Sequence, residues 1–288
     1  MSSKQVTIGV IGGSGLYNIP ELEVTTEHQL ETPFGKPSGP IVEGRVGNRT
    51  VFFLARHGHG HSLSPTDVPY RANVYAMKQM GVTTLLSVSA VGSLTEQIEP
   101  GHLAVPDQLI DRTKGIRPAT FFEKGIVAHV ALGDPYCACL RQAVLAAARR
   151  TGAVVHDGGP LVCMEGPQFS TRAESNLYRS WGAHLIGMTA LPEAKLAREA
   201  SLCYATLALA TDYDCWYEGH DAVTVDAVIE VMKGNAVKAR KTLVELLADS
   251  GTADCACSSA LSNAVVTAPG AIKPEVRKRL SLFLDSTS

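Results

Sequence analysis

The chain has 288 residues, 45% hydrophobic and 19% charged, which is enough apolar material for one sizeable core. A formal net charge of -2 and a pI near 6.5 leave no basic surplus for following a nucleic acid or an anionic membrane, so the expected partners are small molecules. Met1 to Gln5 lacks the charged-then-apolar pattern of a secretory leader and no apolar run reaches spanning length, so a cytoplasmic protein with no membrane contact is expected.

In chain order, Val6 to Ile11 is a β-branched run stopped by Gly12-Gly13-Ser14-Gly15. Absent Cβ atoms let main-chain N–H groups face an anion there, with the Ser14 hydroxyl as a further donor, and the alternative is a glycine turn that serves packing alone. A dinucleotide fingerprint fits poorly, because Asn18 stands where the third glycine belongs and Pro20 interrupts the helix that should follow. A second strand, Thr50 to Ala55, leads into Arg56-His57-Gly58-His59-Gly60-His61. Arg56 can hold an oxyanion bidentately. In an extended loop His57, His59 and His61 share one side, but the two glycines leave the segment too loose for a fixed tetrahedral site, and no metal is expected.

A helix is expected over Tyr70 to Met80, then a strand over Thr84 to Ser89 running into the small, polar Ala90-Val91-Gly92-Ser93. A short strand follows over His102 to Val105, and a helix over Pro135 to Arg150 with Gly152 as its stop. Thr171 and Glu174 form a capping box for a helix ending at Trp181-Gly182. Leu185 to Met188 reads as a strand ending beside Thr189, and Pro192 suits the first turn of a helix to Ala200. The apolar strand Leu202 to Thr211 meets Asp212-Tyr213-Asp214, which in extended form puts two carboxyls on one side. Like charges that close do not both ionise cheaply, so one is a candidate general acid in a dry pocket. The alternative is two solvated loop aspartates, against which stands the habit of open α/β sheets of binding ligands at strand C-termini. The last long helix is Asp221 to Ala248. Cys255-Ala-Cys257 can form a labile disulfide or offer two metal ligands, but no second cluster in the sequence completes a site, and two plain thiols near a turn is the expectation.

The alternation of strands and helices, without repeats or linkers, indicates one α/β domain over 1–288, with 258–288 as a peripheral helix or tail. Taken together, Ile11-Gly-Gly-Ser-Gly15, Thr32-Pro-Phe-Gly-Lys-Pro-Ser38, Ala55-Arg-His-Gly58, Glu165-Gly-Pro-Gln-Phe-Ser170 with Arg172-Ala-Glu174, and Ala210-Thr-Asp-Tyr-Asp-Cys-Trp216 resemble, in order, the trimeric purine nucleoside phosphorylases, in their methylthioadenosine-cleaving branch. The resemblance runs from Ile8 to about Asn235. It implies a nucleoside phosphorylase-like fold with a central mixed β-sheet flanked by helices, a homotrimer, and inorganic phosphate as co-substrate without a cofactor. It implies further that Ser14, Arg56, His57, Ser89, the Ala90 backbone and Thr189 hold phosphate, that Phe169 and Met188 line the base and sugar sites, and that Asp212 with Asp214 reads the purine. Val225, Val228 and Ile229 would surround the 5' substituent, with His129 arriving from a neighbouring subunit.

Members that prefer 6-oxopurines resemble this chain but carry glutamate at the position of Ser170 and asparagine at that of Asp212. A carboxyl can accept from a 6-amino group and protonate N7, so the 6-aminopurine follows. Val225, Val228 and Ile229 at helical spacing offer an apolar lining for a thiomethyl group, with a plain core face as the alternative. The rival substrates are methylthioinosine, inosine or guanosine. The rival classes are an NAD-dependent oxidoreductase, favoured only by the glycine turn, and a non-catalytic nucleotide sensor.

Overall fold

The structure, a computed structural model, describes residues 6–13, 16, 20–218, 225–248 and 255–285, excepting the side chains of 225–228. Four parallel strands form its centre. β1 (Ile8–Gly12) lies between β4 (Arg49–Ala55) and β5 (Thr84–Ser93), and β11 (Cys203–Asp212) lies on the other side of β5. Each is a largely apolar run, buried on both faces along most of its length, as a sheet covered twice requires. Along β1, Ile11 joins one core layer while Ile8 and Val10 join the other. Along β11, Tyr204, Ala208 and Ala210 alternate in the same way with Ala205, Leu207 and Leu209.

The sheet is larger than the sequence suggested. β2 (Glu23–His28) and β3 (Ile41–Val46) extend it antiparallel beyond β4. On the other side β10 (Leu185–Gly187), β9 (Pro160–Met164) and β7 (Gln108–Arg112) continue from the far end of β5, while β6 (Leu103–Val105) and β8 (Val155–Asp157) continue from β11, making eleven strands in all. β5 also runs to Ser93 rather than stopping at Ser89, because its last two residues pair with β10. The result is the expected mixed sheet flanked by helices.

Helix α1 (Tyr70–Gln79) packs against α4 (Ala190–Glu199) on one face, and α2 (Ala138–Arg150) against α5 (Val225–Ala248) on the other. The capping box is present at α3 (Arg172–Ser180), with Thr171 and Glu174 each bonding the other's backbone N–H. The expectation of a peripheral C-terminal tail needs correction. Val276 from α6 (Pro274–Arg279) and Phe283 from α7 (Ser281–Leu284) enter the main core, where the Phe283 ring lies 4.6 Å from that of Phe121 and 5.3 Å from that of Tyr75. Burial of such rings ties the segment to the sheet. The reading of Cys255-Ala-Cys257 as a pair without a second cluster also changes: Cys137 at the start of α2 and Cys203 at the start of β11 lie against it.

Candidate active site

Because β1, β4, β5 and β11 run parallel, their C-terminal ends finish together, with Gly12 opposite Ala55, Ser89 opposite Ala208 and Gly92 opposite Asp212. A cavity of about 370 Å³ opens there. Its walls include Gly13, Arg56, His57, Ser89, Ala90, Phe169, Ser170, Met188, Thr189, Asp212 and Asp214. Segments far apart in sequence thus bring the strand-end residues to one space, where ligands bind in such sheets. Ser14 lies outside the described residues.

The Arg56 guanidinium, expected to hold an oxyanion, is itself anchored by Glu193. Its Nε and Nη2 donate to the two carboxylate oxygens of Glu193 at 2.9 and 3.0 Å, and Nη2 also donates to Ser87 Oγ at 2.7 Å and to the Ile11 carbonyl at 3.0 Å. Arg56 lines the cavity, and its Nη1 donates to the Val88 carbonyl at 3.1 Å. Burial opposes the charge, yet the attraction and hydrogen bonds of Glu193 prevail and raise the pKa of Arg56. The guanidinium is therefore a fixed, permanent cation. Glu193 also accepts from Tyr204 Oη at 3.0 Å. Nothing local in Ala-Leu-Pro-Glu marks Glu193, which reads as an ordinary first-turn helix acid.

The histidine loop is not extended. Gly58 and Gly60 adopt positive φ and His59–His61 form a 3-10 turn, so the expected alignment of all three imidazoles on one side does not occur. His57 stacks on His61 at 4.2 Å, both line the cavity, and His59 is exposed outside it. His57 Nδ1 lies 2.9 Å from the Leu63 carbonyl. Burial, with Arg56 and His61 acting in the same sense, lowers the His57 pKa to about 4. Thr189 is buried at the turn between β10 and α4, and Ser89 is half-buried.

At the other end of the cavity, Asp212 Oδ2 accepts from Thr211 Oγ1 at 2.7 Å and Oδ1 from the Asp214 N–H at 2.8 Å. β11 ends at Asp212, and Asp214 opens a 3-10 turn with φ of 52°, so the pair is brought together by a turn rather than by extended chain. Burial raises the pKa of Asp212 against its two donors, and raises that of Asp214 with the charge of Asp212 adding to it. The Ser175 hydroxyl is near enough to oppose the rise at Asp214, but not in hydrogen-bond geometry, and Asp214 Oδ2 is buried without a partner. Such an atom is costly unless a ligand satisfies it.

Met188 and Ser170 form the rest of this wall, and Phe169 stands at its edge, 49% exposed. Met188 packs over Gly166, where an added Cβ would come within 2.5 Å of its sulfur. The Met188 carbonyl is held by Arg117 Nη1 at 2.6 Å, and Arg117 Nε is in turn paired with Glu165 at 2.7 Å. Arg117 was not singled out from the sequence, where it lies in a polar loop with no motif around it.

Helix α5 closes the cavity with Met232 and Ala236. The side chains of Val225 and Val228 lie outside the described residues. Ile229 is 49% exposed and does not line the cavity, where Met232 and Ala236 of the same helix stand. His129 is exposed and outside the cavity of its own chain.

The sequence profile of the phosphorylase superfamily matches residues 7–248. An S-methyl-5'-thioadenosine phosphorylase of Geobacter sulfurreducens is 53% identical over 97% of this chain and 98% of its own. Among solved structures, a methylthioadenosine phosphorylase sourced from an antarctic soil metagenomic library has a TM-score of 0.93 and 46% identity, covering 98% of this chain and 100% of that one. A methylthioadenosine phosphorylase from Schistosoma mansoni in complex with adenine has a TM-score of 0.83 and 35% identity over 98% of this chain and 99% of its own.

Proposed function

The chain belongs to the phosphorylase superfamily, and from that premise we propose that it uses inorganic phosphate to split 5'-methylthioadenosine into adenine and 5-methylthioribose 1-phosphate. The observation that carries this reading is a single cavity lined by a fixed cation and by a carboxyl pair, half-buried Asp212 and buried Asp214, whose pKa values burial raises. Phosphate lies against Arg56, His57, Ser89, the Ala90 backbone and Thr189, with Ser14 as a further donor. The purine lies against Asp212 and Asp214, and the sugar between them under Met188.

The bond from C1' to N9 breaks and a phosphate oxygen forms the new bond to C1'. The sugar is oxocarbenium-like in between, so a phosphate held beneath it stabilises the developing positive charge. Asp212 gives its proton to N7 as the N9 bond opens, so adenine leaves neutral; such general acid help is worth about 10²- to 10⁴-fold. Asp214 Oδ2, buried and without a partner, accepts from the 6-amino group. Phosphate is a co-substrate, and no step calls on a cofactor. The reaction would serve purine and methionine salvage in the cytoplasm, and the chain would act as a homotrimer. Among the described residues no helix is long and apolar enough to cross a membrane.

Steady-state assays on methylthioadenosine, adenosine and inosine, each with and without phosphate, test the proposal. Adenine release from methylthioadenosine that requires phosphate is expected. Substrates left intact at abundant phosphate would refute it, and preference for inosine would move the activity to the 6-oxopurine branch. Asp212→Ala is expected to lower turnover by about 10²- to 10⁴-fold with phosphate binding kept; unchanged turnover removes Asp212 from the mechanism.

A further inference from the structure

Four cysteines from separate parts of the chain converge at the end of the sheet opposite the active site. Cys137 is the N-cap of α2, Cys203 is the first residue of β11, and Cys255 and Cys257 belong to the turn that follows α5 in sequence. Cys255 Sγ lies 3.0 Å from that of Cys203 and 3.7 Å from that of Cys137, and the four sulfurs all lie within 4.8 Å of one another. We propose that Cys137, Cys203, Cys255 and Cys257 form a tetrathiolate site for Zn²⁺.

A zinc ion with sulfur ligands at about 2.3 Å requires tetrahedral S–S edges of about 3.8 Å, so this cluster needs only small shifts of its side chains. Thiols acting as separate apolar fillers would each pack against carbon. One disulfide would use two sulfurs and leave two without a reason to converge. The surroundings suit a site that gathers negative charge: Cys137 Sγ accepts the Leu140 N–H at 3.4 Å in the first turn of α2, and Arg198 Nη1 lies 3.9 Å from Cys257 Sγ. Three of the four side chains are buried and Cys255 is partly exposed, which leaves an entry path. On binding, each thiol passes its proton to solvent, so one Zn²⁺ and four thiols give a tetrathiolate of charge -2 and four protons.

The site's work is structural. β11 runs from Cys203 to Asp212, which separates the cluster from the carboxyl pair by about 30 Å. Zinc here would pin the C-terminal segment, with Leu280 and Phe283 in the core, to the start of β11 and α2.

The full chain, purified under reducing conditions and freed of metal, is titrated with Zn²⁺ alone against a chromophoric chelator. One Zn²⁺ per chain is expected, protecting four of the seven cysteines from a thiol reagent and raising the thermal midpoint. Co²⁺ in its place should give the intense absorption of tetrahedral sulfur coordination in the wild-type protein, a readout that needs no variant. Cys255→Ser and Cys257→Ser should each lose the stoichiometric zinc and the midpoint shift. A reduced protein that takes up no Zn²⁺ and gives no cobalt spectrum overturns the site. So does a deficit of two or four thiols that reductant alone restores, which would assign the sulfurs to one or two disulfides.

Discussion

His57 carries its ring proton on Nδ1, because the Leu63 carbonyl at 2.9 Å can only accept. With its pKa lowered to about 4, mainly by burial, the ring is neutral near pH 7 and presents Nε2 as an acceptor. In the proposed complex it therefore takes a hydrogen bond from a phosphate hydroxyl instead of adding a second cation to Arg56. The same shift sets a stability dependence. An unfolded chain binds this proton near pH 6.5 and the folded chain near 4, so stability is complete above about 6.5 and falls as pH drops through that window. Urea midpoints between pH 4 and 7 should fall less steeply for His57→Gln than for the wild type; parallel curves would show that the group does not titrate this way. Glu193 carries a second residue-level expectation. Glu193→Ala leaves the Arg56 charge buried without its partner, at a cost of about 3–5 kcal/mol read from denaturant midpoints. A loss below about 1 kcal/mol would mean that water or another acceptor replaces the pair. Arg56 and His57 were legible because they sit in a glycine-punctuated loop after a strand, whereas Glu193 was not, since its partner is distant in sequence and only the fold joins them.

The sheet register explains why one glycine at the end of β5 matters. Gly92 lies opposite Asp212, and a Cβ there would meet Asp212 Oδ1 at 3.0 Å and Ile186 Cγ2 at 2.9 Å. Gly92→Ala should push the Asp212 carboxyl toward the purine side, cost about 1–3 kcal/mol in stability, and lower kcat for adenine release more than it raises KM for phosphate. Equal kcat with a normal melt would show that the carboxyl has room to yield. Elements of this kind were readable where a buried parallel strand is one apolar run with a small or polar end, as in β1, β4, β5 and β11. β2 was missed because Glu23 to Glu27 are all exposed, so no apolar alternation betrays the strand. β8, three residues long, was missed because it is held by its neighbour's backbone more than by its own pattern, whereas the equally short β10 was read as Leu185 to Met188. Along α5, Met232 and Ala236 line the cavity and Ile229 does not, while the side chains of Val225 and Val228 lie outside the described residues.

At the scale of the whole molecule, one chain supplies a cavity but not every residue assigned to it. His129 is exposed, its N–H donates to the Ala264 carbonyl at 2.8 Å, and it does not line the cavity of its own chain. Large apolar side chains stand exposed, among them Phe169 at the cavity and Val127 and Val266. A homotrimer with His129 entering the neighbouring cavity makes a prediction that no single-chain arrangement shares. Asp212→Ala disables the cavity of the chain that carries it, whereas His129→Ala disables only the cavity next door. Each variant alone should be weak. Mixed after mild dissociation and reassembly, a cavity owned by a His129→Ala chain and served by an Asp212→Ala neighbour is intact, so about a quarter of the cavities should recover in a random cyclic assembly. Adenine release that rises on mixing, together with a sedimentation mass of three chains, is the expected result. Activity that stays at the average of the two variants would place His129 outside the neighbouring cavity, and a mass of one chain would exclude any role in trans.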